Sequence, residues 1–400
     1  MRQPDSMSAR RILLELFDAA LRAAGGRSCT ARHLRDAKLP ARIAVFAVGK
    51  AASAMALGAR DTLGEAIDSM LVLTKFGHTD PELTRAPRVL QRESAHPVPD
   101  DSSLAAGAEL ESRLAKLAPD VFPIFLISGG SSSLVEALRD GVSLADLRAL
   151  NERGLAAGWN IAALNAERSR LSRIKGGGIA RALGKRRALA LFISDVPGDD
   201  PDVIGSGLLG RDPGHTDRIE RHVVANLEGA VRAVIDAANA RGLNIESLAG
   251  RFDGDAGKVA EEFLARLRTC NGDGLVWGGE STVRLPAHHG RGGRNTHLAL
   301  NFARQLRTGE RWLLLAAGTD GTDGPTDDAG AIVDAGTVER ATIAGCDVEF
   351  AAREFDSGTA LEAAEDLVHT GPTGTNVGDI LIAIKQSATS LRDDRSSRML

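Results

Sequence analysis

The chain has 400 residues, a formal net charge of −4, 43% apolar residues and 26% charged residues. This balance excludes wholesale disorder, and the length exceeds what one hydrophobic core usually fills, so two domains are expected. A slightly acidic chain with 11 Phe, 3 Trp and no Tyr has neither the basic footprint nor the aromatic platforms of a nucleic-acid binder.

The N-terminal stretch has a helical apolar period broken by Glu15 and Asp18 and stopped by Gly25-Gly26. It reads as an amphipathic helix, because a secretory leader needs an unbroken apolar centre. Short apolar runs then recur at 43–48, 123–127, 188–193, 275–277 and 312–317. Each ends in Gly, Ser or Asp and leads toward a helical pattern, the first into an Ala-rich helix and the second into a helix over 134–138. Such alternation predicts an α/β protein of two domains, each with a mainly parallel sheet flanked by helices. Ser143 and Asp146 form a capping-box start. The stretch 223–240 reads as one long amphipathic helix closed by Arg241-Gly242, which places the boundary there: a larger, Rossmann-like domain over 1–242 and a smaller one over 243–400. The polar tail after Lys385 is expected to fray. Cys29, Cys270 and Cys346 are odd in number and widely spaced, which argues against disulfides and structural zinc and for a reducing, cytoplasmic setting. No run approaches the ~20 apolar residues of a membrane span.

Open α/β sheets bind ligands beyond the carboxyl ends of their strands, and the reactive residue types fall there. After 123–127 comes Ser128-Gly129-Gly130-Ser131-Ser132-Ser133. Backbone N–H groups at a helix start, bared by glycine, suit a phosphate, whereas a nucleophile elbow would need glycine at 133. Gly49-Lys50 puts a lysine at a strand end without the rest of a Walker A motif, since 44 and 51 are both Ala. Asp195 follows a third run. Asp320 and Asp323 sit in a Gly-Thr-Asp loop that suits a cation shared with phosphates, although the same residues are ordinary turn formers. Gly290-Arg291-Gly292-Gly293-Arg294 opens a helix and offers two guanidiniums to a phosphate or carboxylate. Arg168, Arg170, Arg173 and Lys175 cluster in one segment, as a solvated face or an anion site. Gly205-Ser206-Gly207-Leu208-Leu209-Gly210 matches G-x-G-x-x-G literally but follows no strand and opens no helix, so it reads as a loop.

In order along the chain, AVGKAAS (47–53), HPVPD (96–100), LISGGSSSL (126–134), LNAERSRLSRIKGGGIA (164–180), FISDVPGDDPDVIGSG (192–207), WGGESTV (277–283), GGRN (292–295), GTDGTDGPTDDAGAIVD (318–334) and GPTGTNVGD (371–379) together resemble the glycerate 2-kinases of the MOFRL class. The resemblance implies an active site between two α/β domains and ATP-dependent phosphorylation of D-glycerate at the 2-hydroxyl, with Mg²⁺ or another divalent cation. It places the catalytic lysine, arginine and aspartate at Lys50, Arg294 and Asp195. The nucleotide is expected on Ser128, Gly129, Gly130, Ser131, Ser132, Gly279, Glu280 and Asn376, and the cation on Asp195, Asp320 and Asp323. Arg168 or Lys175 is expected to bind the acceptor carboxylate, and Asp195 to be either base or cation ligand. Partners are the small molecules ATP and glycerate, with no nucleic acid and no membrane; a homodimer stays open. The pattern departs from the family at Thr296-His297, at Gly378 and at Glu167-Arg168-Ser169-Arg170, which puts the acceptor in question more than the reaction. A nicotinamide-dependent hydroxypyruvate reductase and a non-catalytic nucleotide- or sugar-acid-binding protein are the rival readings.

Overall fold

The computed structural model describes residues 6–157, 159, 161–211, 218–286 and 288–386; beyond Gln386 the polar tail lies outside them. The chain forms two compact units. The first comprises residues 24–226 with 374–377. The second comprises the segment up to Ala23, residues 227–373 and those from Gly378 on. The division thus falls at Asn226/Leu227, and the N-terminal helix Ser6–Ala24 belongs mainly with the C-terminal unit.

The first unit carries β1 (Ile43–Val48), β2 (Ile67–Lys75), β3 (Val89–Ser94), β4 (Phe122–Ile127), β5 (Arg187–Ile193) and β6 (Arg218–Ala225). Their order is β3-β2-β1-β4-β5-β6 and all neighbours are parallel. β1, β4 and β5 are nearly all buried, as strands covered by helices on both faces must be. Phe46 and Phe125 stack across β1 and β4, ring centroids 5.2 Å apart. The strand order reverses between β1 and β4, the point at whose carboxyl ends open sheets of this kind bind ligands.

The second unit carries β7 (Ile245–Ser247), β8 (Gly274–Gly279), β9 (Trp312–Gly318), β10 (Gly330–Val333), β11 (Leu367–Val368) and β12 (Asp379–Lys385), in the order β11-β10-β9-β12-β8-β7. The expectation of a second mainly parallel sheet fails. Only β7 and β8 pair in parallel; β12 runs between β8 and β9 antiparallel to both, and β10 is antiparallel to β9 and β11. Apolar runs separated by helices report that strands exist but not the end from which each enters its sheet. The long helix expected from 223 begins at Leu227, because 223–225 complete β6. The expected capping box is present: Ser143 N–H donates to Asp146 Oδ2 at 2.8 Å, and Asp146 N–H to Ser143 Oγ at 3.2 Å.

One buried carboxylate ties the N-terminal helix to its unit. Asp366, with a fully buried side chain, accepts from Arg10 (2.6 and 2.9 Å), Arg340 (2.8 Å) and Thr337 Oγ (2.5 Å). Removing one partner of a buried pair leaves the others uncompensated. Asp366→Ala is therefore expected to lower unfolding free energy by about 3–5 kcal/mol in urea denaturation, and a loss under ~1 kcal/mol, the worth of an exposed pair, would show that the network is dispensable.

Candidate functional site

In the first unit the loops after β1 and β4 are bonded together. Ser128 N–H donates to Val48 O (3.0 Å), Lys50 N–H to Gly129 O (2.9 Å) and Ala51 N–H to Ser128 Oγ (3.0 Å). The approach requires glycine at 49, where φ is +128° and a β-carbon would lie 2.2 Å from Ser128 Oγ. Ser131 Oγ donates back to Val48 O (3.0 Å) and Ser128 O (2.5 Å). Ser128 and Ser131 are fully buried, so their hydroxyls serve the loop itself, and of these two and Ser132 only Ser132 is half-exposed.

The helix expected over 134–138 is instead one turn, Ser131–Leu134, after which the chain is extended at Val135. A single turn sums little dipole, so an anion here would be held by loop backbone and side chains. Those side chains converge on the glycines. A β-carbon on Gly129 would lie 1.9 Å from Asp195 Oδ2 and 2.0 Å from Asn376 Nδ2; one on Gly130 would lie 3.1 Å from Lys50 Cγ and 3.2 Å from His96 Cδ2. Asn376 donates to Asp195 Oδ2 at 2.9 Å. Lys50, Asp195 and Asn376, three of the residues read from the sequence, thus ring the Gly129-Gly130 backbone. His96 joins them; its segment, HPVPD, is part of the resemblance, but an isolated histidine after β3 carries no signal of its own.

The basic cluster divides. Arg170 pairs with Glu167 at 2.6 Å and Arg173 with Glu111 at 2.7 Å, both partly exposed. Lys175 is buried and binds Glu136, whose other oxygen accepts from Ser172 Oγ (2.6 Å) and Ala137 N–H (2.9 Å). Burial holds the Lys175 ammonium below its usual range, with Glu136 opposing. Lys175 is therefore withdrawn as a carboxylate ligand: its charge is sealed in an internal pair. Arg168 is different. It is half-buried and its guanidinium donates to amide oxygens, Asn151 Oδ1 at 2.8 Å and Asn165 Oδ1 at 3.5 Å. Burial lowers its pKa and Glu136 partly opposes. Two cations against one carboxylate leave this buried patch a net positive charge, which an anionic ligand would relieve.

The second unit holds its own polar set. Arg294, at the start of the helix Arg294–Gln305, grips Asp379 with two nitrogens (2.6 and 3.1 Å) and reaches Glu280 at 2.6 Å. Burial works against its charge, but Asp379 and Glu280 more than offset this and hold it protonated. Arg291 is taken up by Asp328 (3.0 Å) and Glu362 (2.6 Å). Gly279 lies under Phe252, whose carbonyl a β-carbon would meet at 2.2 Å, so it packs the sheet end. Asp323 is not placed as a cation ligand: it is buried, and its oxygens accept Asn295 N–H (2.9 Å), Thr296 N–H (2.8 Å) and Thr296 Oγ (2.9 Å), capping that helix. Asp320 is buried and accepts Thr322 N–H at 3.0 Å in a tight turn. Among the described residues no group of three or more His, Cys, Asp and Glu side chains could hold a metal ion, and no helix is long and apolar enough to cross a membrane.

A cavity of about 850 Å³ in the first unit lies elsewhere, beside the starts of β4 and β5, lined by Cys29, His33, Lys38, Phe122, Arg187 and His222 among others. It includes none of the loop residues above.

Burial pushes the Asp323 carboxyl up to about 6 against the donors it faces. An unfolded aspartate titrates near ~3.9, so the native state binds the extra proton between those values. The stabilisation is present below ~4 and lost as pH rises through about 6. Asp323→Asn should abolish this component, so the stability difference between wild type and variant should change between pH 4 and 6.5 in urea titrations; a constant difference would refute the assignment.

The MOFRL family model matches residues 274–379, and a family described as a domain of unknown function matches 12–236. A D-glycerate 2-kinase of Thermotoga maritima is 32% identical over 95% of this chain and 99% of its own. A protein of Agrobacterium vitis, named provisionally as a hydroxypyruvate reductase, is 35% identical over 94% of both chains. The crystal structure of a glycerate kinase from Thermotoga maritima superposes with a TM-score of 0.82 at 32% identity, covering 95% of this chain and 100% of that one.

Proposed function

The chain belongs to the MOFRL family, and on that premise we propose that it is a glycerate 2-kinase, transferring a phosphoryl group from ATP to the 2-hydroxyl of D-glycerate. The observation that carries this reading is the ring of Lys50, Asp195, Asn376 and His96 around bare glycine backbone at the strand-order reversal, where nucleotides and their analogues bind in such sheets. Phosphoryl transfer asks a protein mainly for position and for compensation of charge on the moving group. Lys50, beside Gly130, offers that charge next to the bare loop backbone. Arg294, in the second unit, is the arginine that the resemblance assigns to catalysis; its bond to the half-exposed Glu280 is the one an anion could replace, while Asp379 keeps its plane fixed. Asp195, oriented by Asn376, is the carboxylate available to accept the hydroxyl proton or to share a divalent cation. Such a cation supplies neutralisation of the β- and γ-phosphate charge when bound. Arg168 is the counter-charge for the acceptor carboxylate. A cytoplasmic location fits the three free cysteines.

ADP release, coupled to a spectrophotometric readout across a panel of hydroxy acids, tests the reading. D-glycerate should support turnover, and Lys50→Ala should reduce kcat by roughly 10²–10³-fold with its melting temperature kept. Arg294→Lys is the better probe at the second position, because Arg294→Ala would also strand the buried Asp379. Absence of ADP release with every acid, or oxidation of NADH with hydroxypyruvate, would overturn the proposal in favour of a binding protein or a reductase.

A further inference from the structure

The G-x-G-x-x-G match that is no dinucleotide site still has a defined conformation. Gly205, Ser206 and Gly207 all take positive φ, at +63°, +57° and +67°. Glycine is at ease there and serine is not, so a serine at 206 is held against a backbone preference. Its side chain is where the compensation lies. Ser206 is 3% exposed, and its Oγ lies 2.8 Å from Ser132 Oγ and 3.1 Å from Asn165 Oδ1. Asn165 Oδ1 in turn faces Arg168 Nη1 at 3.5 Å. A continuous polar chain therefore runs from the glycine-serine loop through Ser206 and Asn165 to the unneutralised guanidinium.

The direction of the protons along this chain follows from chemistry. A guanidinium only donates, so Arg168 selects the oxygen of the Asn165 amide. That oxygen only accepts, so the single proton of Ser206 goes to Asn165. Ser206 has then no proton for Ser132, and the Ser132 hydroxyl must give its own proton to Ser206. What Ser132 shows to a ligand is a pair of lone pairs. It suits a group that donates and not a phosphate oxygen.

We propose that Ser206 is a positioning residue that turns Ser132 into a hydrogen-bond acceptor for the hydroxyl of the acceptor substrate that does not react, so that the site selects hydroxy acids bearing a second hydroxyl. The inference rests on the kinase reading above. A neutral serine with its proton committed is too weak a base to take a proton from the reacting hydroxyl, which needs a carboxylate. It can hold a hydroxyl that keeps its proton. Arg168 at the far end of the same chain takes the carboxylate, so one network reads two substituents of one small molecule. This revises Ser132 from the nucleotide set to the acceptor set.

The test compares glycerate, which has the second hydroxyl, with lactate, which lacks it. Ser206→Gly suits the positive-φ backbone, so the fold is kept, and the melting temperature checks this. Ser132→Ala removes the acceptor itself. In both variants the ratio of kcat/KM for glycerate to that for lactate should fall about tenfold, the worth of one hydrogen bond, with KM for ATP within about twofold of wild type. A merely structural role would lower both acids alike and leave the ratio unchanged. An unchanged ratio in folded, active variants, or a rise in KM for ATP in place of the change in ratio, would overturn the proposal while leaving the kinase reading intact. A wild-type protein that releases no ADP with either acid would sink the kinase reading and this inference with it.

Discussion

Two loops leaving adjacent parallel strands can share one site only if their backbones touch, and β-carbons at the contact forbid it. Between β1 and β4 the contact is made at Gly49 and Gly129. A β-carbon at 49 would sit 2.2 Å from Ser128 Oγ, and one at 129 would displace Asp195 and Asn376 together. Lys50 N–H then closes on Gly129 O. The placement of Lys50, the exposure of Gly130 and the pairing of Asn376 with Asp195 all depend on this bare backbone. Ser128 and Ser131 are drawn into fixing it, which is why their hydroxyls are buried.

The first unit was largely legible because its strands are long, apolar and followed by helices, and because each strand-end loop announces itself by glycine beside a polar residue. Lys50, Asp195 and the glycine-serine loop are read this way, and the structure brings them together around Gly129 and Gly130. The failures have physical causes. The helix expected after Ser133 is cut short where Glu136 turns inward to meet Lys175, a pairing across 39 residues that no local pattern records. Lys175 read as an anion ligand because a lysine in a basic run gives no sign of whether it is buried. The second sheet misled for the opposite reason: its strands were visible, but direction depends on how β12 enters between β8 and β9. Asp323 looked like a cation ligand because Asp-Gly loops, turns and helix caps share one composition.

The units also differ in how they use charge. In the second, carboxylates and guanidiniums are matched: Asp366 with Arg10 and Arg340, Asp379 with Arg294, Asp328 with Arg291. Such pairs specify geometry more than they add stability. In the first unit the patch around Arg168 is not matched, since Glu136 is committed to Lys175 and amides hold the guanidinium. Fixed orientation without neutralisation is what recognition of a small anion requires.

This contrast assigns meaning to the three departures from the family pattern. Thr296 is buried, and its hydroxyl is shared among Asp323, Gly293 and Ser357 within the cap of its helix. His297 stacks on Phe355 at 4.5 Å, where burial lowers its pKa. Gly378 takes φ +102°, and a β-carbon there would press on Gly279 O at 3.0 Å. These two sites are explained by packing in the second unit. The third departure, 167–170, contains Arg168, a half-buried cation whose guanidinium is oriented by amide oxygens. Of the three departures, it is the Arg168 segment that lies on the polar chain through Asn165 and Ser206, whereas the other two are held within the packing of the second unit.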